Sequence, residues 1–291
     1  MPSVQRPAAG LRRSLVLAAL GAVAAGIAAA VWGFLFEPDL LRLRHIVVET
    51  AKWPPAVPPL RVAVVADIHA GAPYIDAAKL DRIVADVNAQ DADVIVLLGD
   101  FLIQGVRFGT PMPPDRIAAH LRPLHARQGV FAVLGNHDWY GDGRRVWREL
   151  EAAGIRVLEN QGTSLPGSDG RIWLAGVADD STRTPDVAAA LRGAPGDAAI
   201  LVITHDPAVL PDVPPQVALT LAGHMHGGQV YLPLIGALFT PGRAPSRLAW
   251  GYHVEGGRGV FVTGGIGTSI LPVRFNMPPE IVVVTLRRPP G

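Results

Sequence analysis

Leu221-Ala222-Gly223-His224-Met225-His226-Gly227-Gly228 is the stretch around which the fold is read. The uncharged run Val217 to Leu221 before it has the composition of a buried strand. The strand gives way to glycine, and two histidines follow two positions apart. On an extended backbone, residues i and i+2 point to one side, so both imidazoles would face one centre. The flanking glycines let the chain come close to whatever lies there. Neutral imidazole is the commonest protein metal ligand, so the pair has the makings of half a metal site.

The other half is found where other apolar runs end. Arg61–Ala66, Asp93–Leu98 and Val130–Leu134 read as strands, with helices expected near 77–88, 115–127 and 143–153. These strands run into Asp67-Ile68-His69, Gly99-Asp100 and Gly135-Asn136-His137-Asp138. After Gly170 the rhythm changes to short strands, at 172–177, 199–204, 217–221, 259–263 and 281–286, with one short helix at 185–192. The strand 199–204 ends in Thr204-His205-Asp206. Apolar runs alternating with helices, followed by a strand-rich half, predict a layered α/β domain with a second sheet packed on the first. Ligands at the carboxyl ends of such strands share a crevice. Five points of the chain thus deliver Asp67, His69, Asp100, Asn136, His205, His224 and His226 to one place. Asp67 or Asp100 alone would be an ordinary helix cap or turn residue, and His205 alone a core histidine; five such fragments, each at a strand end, are not coincidence.

Composition narrows the classes. The chain has 291 residues, formal net charge +1, 49% hydrophobic residues and no cysteine. Disulfides, thiolate metal sites and cysteine nucleophiles are excluded. No basic run or basic–aromatic stripe points to nucleic acid, and no protein partner is evident. Leu15 through Phe36 is 22 residues without a charge, long enough as a helix (roughly 33 Å) to cross a hydrocarbon core. Arg6, Arg12 and Arg13 precede it, which by the positive-inside rule leaves the N-terminus cytoplasmic and the rest outside. The expectation is a single-pass protein of a bacterial inner membrane with its domain on the periplasmic side. A cleaved export signal beginning at Arg12-Arg13 is the rival. The run continues through Val31-Trp32-Gly33-Phe34-Leu35-Phe36, longer than a signal core, and Trp32 suits an interfacial anchor. The segments expected are an anchor at 1–36, a connector at 37–59 with five prolines and an edge strand near 41–50, and one domain at 60–288.

Asp-x-His, Gly-Asp, Gly-Asn-His-Asp, His and Gly-His-x-His, in this order from Leu60 on, resemble the calcineurin-like metallophosphoesterases. The apolar start, Gly227-Gly228-Gln229 and Gly265-Ile266-Gly267-Thr268-Ser269 resemble a bacterial membrane-associated branch, some of whose members are UDP-2,3-diacylglucosamine pyrophosphatases of lipid A biosynthesis. That step is cytoplasmic, in tension with the arginine bias. The resemblance implies a four-layer αββα sandwich preceded by one transmembrane helix. It implies two divalent ions, with Mn²⁺ favoured over Fe or Zn²⁺. Asp67, His69 and His226 would hold one, Asn136, His205 and His224 the other, and Asp100 would bridge them. His137 would give a proton to the leaving oxygen. The protein-phosphatase branch pairs this histidine with an aspartate three positions after the bridging one, where this chain has Ile103; whether Asp138 takes over is open. Arg243 and Arg274 are candidate phosphate contacts, with Arg247 beside them. Tyr231 to Phe239, nearly all apolar, is either core or a greasy wall beside the metals for an acyl chain or the bilayer. The function expected is hydrolysis of a phosphodiester or pyrophosphate, with a lipid-linked substrate among the candidates. The alternatives are a phosphomonoesterase for soluble substrates and a non-catalytic metal-binding scaffold.

Overall fold

The computed structural model describes residues 9–290; Arg6, the first of the three flanking arginines, lies outside them. Helix α1 (Ala9–Val31) continues as a wider turn over Trp32–Phe36 and a tight one over Glu37–Asp39. Its leucines and valines from Leu15 to Val31 are exposed, and residues 12–39 are long and apolar enough to cross a membrane.

The chain then builds two six-stranded sheets. The first takes β1 (Arg42–Glu49), β2 (Leu60–Val65), β3 (Val94–Leu98), β4 (Val130–Val133) and β5 (Arg156–Val157). The second takes β6 (Gln161–Ser164), β7 (Ile172–Val177), β8 (Ala199–Thr204), β9 (Leu219–Ala222), β10 (Gly251–Glu255) and β11 (Arg258–Val262). Strand β12 (Glu280–Arg287) returns to the first sheet between β1 and β2, giving the order β1-β12-β2-β3-β4-β5. In the second sheet the order is β10-β11-β9-β8-β7-β6. Strands β2, β3 and β4 are mutually parallel, as are β7, β8, β9 and β11. The strand expected near 41–50 is thus the edge of the first sheet, so the proline-rich segment adds a strand to it.

Alternate side chains explain the layering. Val62, Val64, Val94, Val96 and Leu98 meet Leu201, Ile203, Leu219, Leu221 and Phe261 between the sheets. The opposite face, with Ala63, Val65, Ile95 and Leu97, is covered by α2 (Ala77–Asn88), α3 (Pro114–Leu121), the short α4 (Asn136–Tyr140) and α5 (Gly143–Ala152). The outer face of the second sheet carries a thin cover from α6 (Val187–Ala190) and the turn 207–212. This is the expected αββα sandwich. Helix α3 is shorter than the 115–127 expected because Pro123, just after the C-cap Arg122, has no N–H to continue the ladder.

Candidate metal centre

Five loops leave the carboxyl ends of β2, β3, β4, β8 and β9, and they are stitched together across the two sheets. The Asp67 N–H donates to the Gly99 carbonyl (3.0 Å), and the His69 N–H to that of Asp100 (2.9 Å). The Gly223 N–H donates to the His205 carbonyl (2.9 Å), and the His224 N–H to both oxygens of Asp67 (3.0 and 3.1 Å). Asp67, His69, Asp100, His224 and His226 all have left-handed backbone, with φ between 45° and 67°. Such torsions are uncommon outside glycine and are retained where surrounding structure enforces them. They overturn the expectation of an extended backbone at His224 and His226. The chain coils there instead, and the two rings reach different partners: His226 Nε2 lies 3.2 Å from His69 Nε2, and His224 Nδ1 lies 3.0 Å from His205 Nε2.

Close approach is built in with glycine. A Cβ on Gly135 would stand 2.2 Å from Asp100 Oδ1, and one on Gly265 would stand 2.7 Å from Asp67 Oδ2. Gly242 passes over the far edge of His224 in the same way.

Hydrogen bonds set the tautomers. His69 Nδ1 faces the Leu102 carbonyl at 3.0 Å and His205 Nδ1 faces the Leu98 carbonyl at 2.7 Å; a carbonyl only accepts, so both Nδ1 atoms carry hydrogen, and in the neutral, ligating form both Nε2 atoms present lone pairs. Yet His69 Nε2 looks at Asp100 Oδ2 (3.5 Å) and at His226. His205 Nε2 looks at Asp100 Oδ2 (3.3 Å), Asn136 Oδ1 (3.2 Å) and His224. Facing Asp100 Oδ2 and Asn136 Oδ1, the lone pairs of the neutral rings meet other acceptors, an arrangement that a cation completes. Asp67, His69, Asp100 and His226 form one group whose ligand atoms lie within 4.8 Å of one another; Asp100, His205 and His224 form a second. Asp100 belongs to both. The residues therefore fit divalent metal.

Electrostatics agree. Burial lowers His69 to about 4 and His224 to about 3, and drives His226 well down, so these rings are neutral and ready to ligate. Burial pushes Asp67 up to about 7. At Asp100 burial is outweighed by His205 and His69, which hold the carboxyl well below the usual range. Against its own burial, His205 is raised well above an ordinary histidine by Asp100 and Asp67. In the absence of a cation, a proton on His205 takes its place.

A sequence profile of the calcineurin-like phosphoesterase family matches residues 60–228. The chain belongs to that family. This family member is 29% identical to the uncharacterized metallophosphoesterase YkuE of Bacillus subtilis (strain 168), over 95% of its own length and 97% of that protein. It is also 29% identical to the phosphodiesterase YaeI of Escherichia coli (strain K12), over 78% of its own length and 82% of that protein. A transmembrane protein with metallophosphoesterase domain from Danio rerio matches at 29% over 89% of the chain, which spans 60% of that longer protein.

Two candidate residues of this phosphoesterase-family chain do other work than expected. Asp138 is fully buried. Its Oδ2 accepts the N–H groups of Asp100 (2.9 Å) and Gly135 (3.0 Å), and its Oδ1 those of Phe101 (2.9 Å) and Leu102 (3.1 Å). With both oxygens spent on four backbone donors it does not orient His137; it holds the loop that carries Asp100. Arg274 is also fully buried and is no phosphate contact. Its guanidinium donates to the carbonyls of Gly264, Gly267 and Met277, and burial lowers it to about 10. It staples the 264–267 loop, whose Ile266 and Gly267 N–H groups bond the Ala66 and Asp67 carbonyls.

His137 is only partly covered. Its ring stands edge-on to His69 with centroids 4.9 Å apart, and its Nδ1 has no hydrogen-bond partner. Arg243, beside Gly242, is exposed and forked onto Asp180 (3.1 and 2.5 Å); Arg247 is forked onto Glu255. Sequence reading gave no role to Asp206. Its Oδ2, without a hydrogen bond, lies 3.7 Å from His224 Nε2, also without one, on the side of the ring away from His205. A carboxylate behind a ligating imidazole fixes its tautomer and raises its basicity. The available signal was its adjacency to His205.

Proposed function

We propose that the chain is a membrane-anchored, dinuclear-metal-dependent hydrolase of a phosphodiester or pyrophosphate, with a lipid-linked substrate. The reading is carried by Asp100 Oδ2, which lies 3.5 Å and 3.3 Å from the Nε2 atoms of His69 and His205, so that one carboxylate oxygen and two imidazoles converge where a cation would satisfy all three. Asp67, His69 and His226 would hold one ion, Asn136, His205 and His224 the other, and Asp100 would touch both. Two divalent ions there, Mn²⁺ first among them, would supply Lewis acidity toward a phosphoryl group and acidify a water for in-line attack.

The remaining steps belong to side chains. His137, half-exposed with its ring edge-on to His69, gives the leaving oxygen its proton. Asp206 orients His224. Arg243, at the rim beside Gly242, is the candidate for a substrate phosphate. The E. coli relative named a phosphodiesterase supports a diester over a monoester. The apolar α1 and the Danio rerio relative named a transmembrane protein support the anchor. The segments proposed are an anchor at 1–36, a connector at 37–59 that lends β1 to the first sheet, and the hydrolase domain at 60–288. We place the anchor in a bacterial inner membrane with the domain on the periplasmic side.

Purified full-length protein loaded with Mn²⁺ is expected to hydrolyse bis(p-nitrophenyl) phosphate, and Asp100→Ala and His137→Ala to lose that activity. Turnover confined to monoesters would replace this reading with a phosphatase. No turnover of any ester, with metal bound, would leave a scaffold. Protease accessibility of the domain in spheroplasts tests the side of the membrane.

A further inference from the structure

The apolar helix does not hang from the domain as a loose tether. The Arg274 N–H donates to the Gly33 carbonyl (3.0 Å), and the Tyr74 hydroxyl to that of Phe34. Glu37 is buried and accepts from the Met277 N–H (2.6 Å) and from the indole of Trp32 (2.7 Å). Lys79 pairs with Asp39 (3.0 Å). These bonds clamp the end of the helix onto segments 272–277 and 74–79, so its exit point is a fixed feature of the domain.

Strand direction then decides which face of the domain meets the membrane. Strand β1 runs parallel to β12, and β12 antiparallel to β2. The start of β1, just after the helix, therefore lies on the edge of the sheet where β2 ends and the metal cluster begins. Arg42 pairs with Glu280, and Val282 pairs with Val64. Arg42 thus stands two strand spacings, about 10 Å, from the end of β2. The helix leaves the domain beside the mouth of the site.

That mouth is apolar. A cavity of about 380 Å³ opens next to His226, with walls that include Val230, Phe239, Ile270, Leu271 and Val273. Val273 is also the side chain that a Cβ on Gly33 would touch, so cavity and helix end share a wall. Beyond it Ile235 and Phe239 are 70% and 63% exposed, and Leu234 is fully exposed. Leu234 and Ile270 carry these side chains on left-handed backbone, at φ 68° and 64°, a strained conformation for a β-branched residue such as isoleucine. Phe108 joins them, because the Arg107 N–H donates to the Ile270 carbonyl (2.9 Å). A contiguous exposed apolar patch marks an interaction surface.

We infer that the mouth of the metal site is seated on the same bilayer that α1 crosses, with Leu234, Ile235, Leu238, Phe239, Ile270 and Leu271 in the interface. The occupant is lipid because the clamped helix, if it spans, brings this patch to the membrane surface. The inference rests on the anchored phosphoesterase reading and gives its lipid-linked substrate a route, along the membrane plane into the cavity beside His226.

The chain has no cysteine, so single labels can be placed at will. Full-length Ile235→Cys, Leu238→Cys, Val23→Cys and Gly196→Cys, each carrying an NBD fluorophore, are reconstituted into phosphatidylcholine–phosphatidylglycerol vesicles containing doxyl lipid. Gly196 precedes β8 at the end of the second sheet away from the site, and a side chain there meets nothing. Quenching is expected for the label at 23 and, at a depth of about 5–10 Å, for those at 235 and 238; the label at 196 stays in water. A quenched label at 23 with 235 and 238 in water would overturn the inference, as would a label at 23 that lipid never reaches. Blue-shifted labels at 235 and 238 that lipid does not quench would mean a second copy covers the patch, and would overturn it too. Hydrolysis of bis(p-nitrophenyl) phosphate by the unlabelled protein is read separately. Labels that insert without any hydrolysis would support the seating and overturn the phosphoesterase reading.

Discussion

Asp138 accepts the backbone N–H of Asp100 at 2.9 Å, and so positions the one carboxylate that belongs to both groups of metal-binding side chains. Asp100 in turn accepts the backbone N–H of His137 at 2.9 Å. Adjacent residues in sequence, His137 and Asp138 thus have opposite tasks. One is partly exposed beside His69, with a buried Nδ1 that has no partner; the other is sealed beneath the loops.

The two are separable by mutation. In Asp138→Asn, an NH₂ group must face N–H donors that an oxygen now accepts, and two buried donors lose their partner. Each such loss costs about 1–3 kcal/mol. A fall in unfolding free energy of about 2–5 kcal/mol in urea, together with lower bound metal, is the expected result. His137→Asn should leave stability within about 1 kcal/mol but slow turnover by about 10²–10⁴-fold. Comparable stability losses in both variants would contradict this division.

Gly135→Ala tests the close approach at the bridging carboxylate. The added methyl would lie 2.2 Å from Asp100 Oδ1 and 2.7 Å from His205 Cε1, and β4, buried on both sides, cannot withdraw. Both groups of ligands should be disturbed at once. Metal analysis of the folded variant should find less than half of the wild-type metal content. Full occupancy would mean that the loop yields more easily than its packing implies.

The convergence of the ligands was legible because each is tied to a strand end. An apolar run that stops at Asp, Gly-Asp or Gly-Asn-His reveals where the chain leaves the sheet, and parallel strands leave on one edge. The conformations beyond that point were not legible. His224 and His226 look like an extended pair in sequence but are left-handed, because the turn is forced by Asp67 accepting the His224 N–H and by glycines on either side. Nor could sequence tell Asp138 from a catalytic carboxylate. That distinction lies in four backbone donors from 35 or more residues away in three cases and three residues away in the fourth. Arg274 was misread for the same reason: an arginine spaced like a surface phosphate contact closes a loop inside the protein.

Arg274→Met keeps the unbranched stem of that side chain and removes the guanidinium with every donor. The carbonyls of Gly264, Gly267 and Met277 would be left buried without partners, and Asp67 would lose a nearby positive charge. Destabilisation of about 3–5 kcal/mol is expected from breaking a buried charged network. If some protein folds, its KM for a soluble diester should match the wild type within about twofold per active, metal-loaded molecule, a change of under about 0.5 kcal/mol. A raised KM with unchanged stability would restore the role first expected of Arg274.

Metal uptake should depend on pH with a definite sign. In the metal-free protein burial raises Asp67 to about 7, whereas its ligating form is the carboxylate. Below that value binding must expel a proton, so apparent affinity rises with pH, by about tenfold per unit for each proton displaced. His205, raised well above an ordinary histidine by Asp100 and Asp67, gives up a second proton, so the rise continues above pH 7. His69, lowered to about 4, and His224, lowered to about 3, are already neutral and add no slope in this range. Titration with Mn²⁺ against a competing chelator at pH 6, 7 and 8 measures the slope, and calorimetry in buffers of different ionisation enthalpy counts the protons. His205→Asn should remove the part of the slope that persists above pH 7 while leaving the part due to Asp67. An affinity indifferent to pH across that span would mean that the cluster already holds its carboxylates and imidazoles in the ligating form without any cation to balance them.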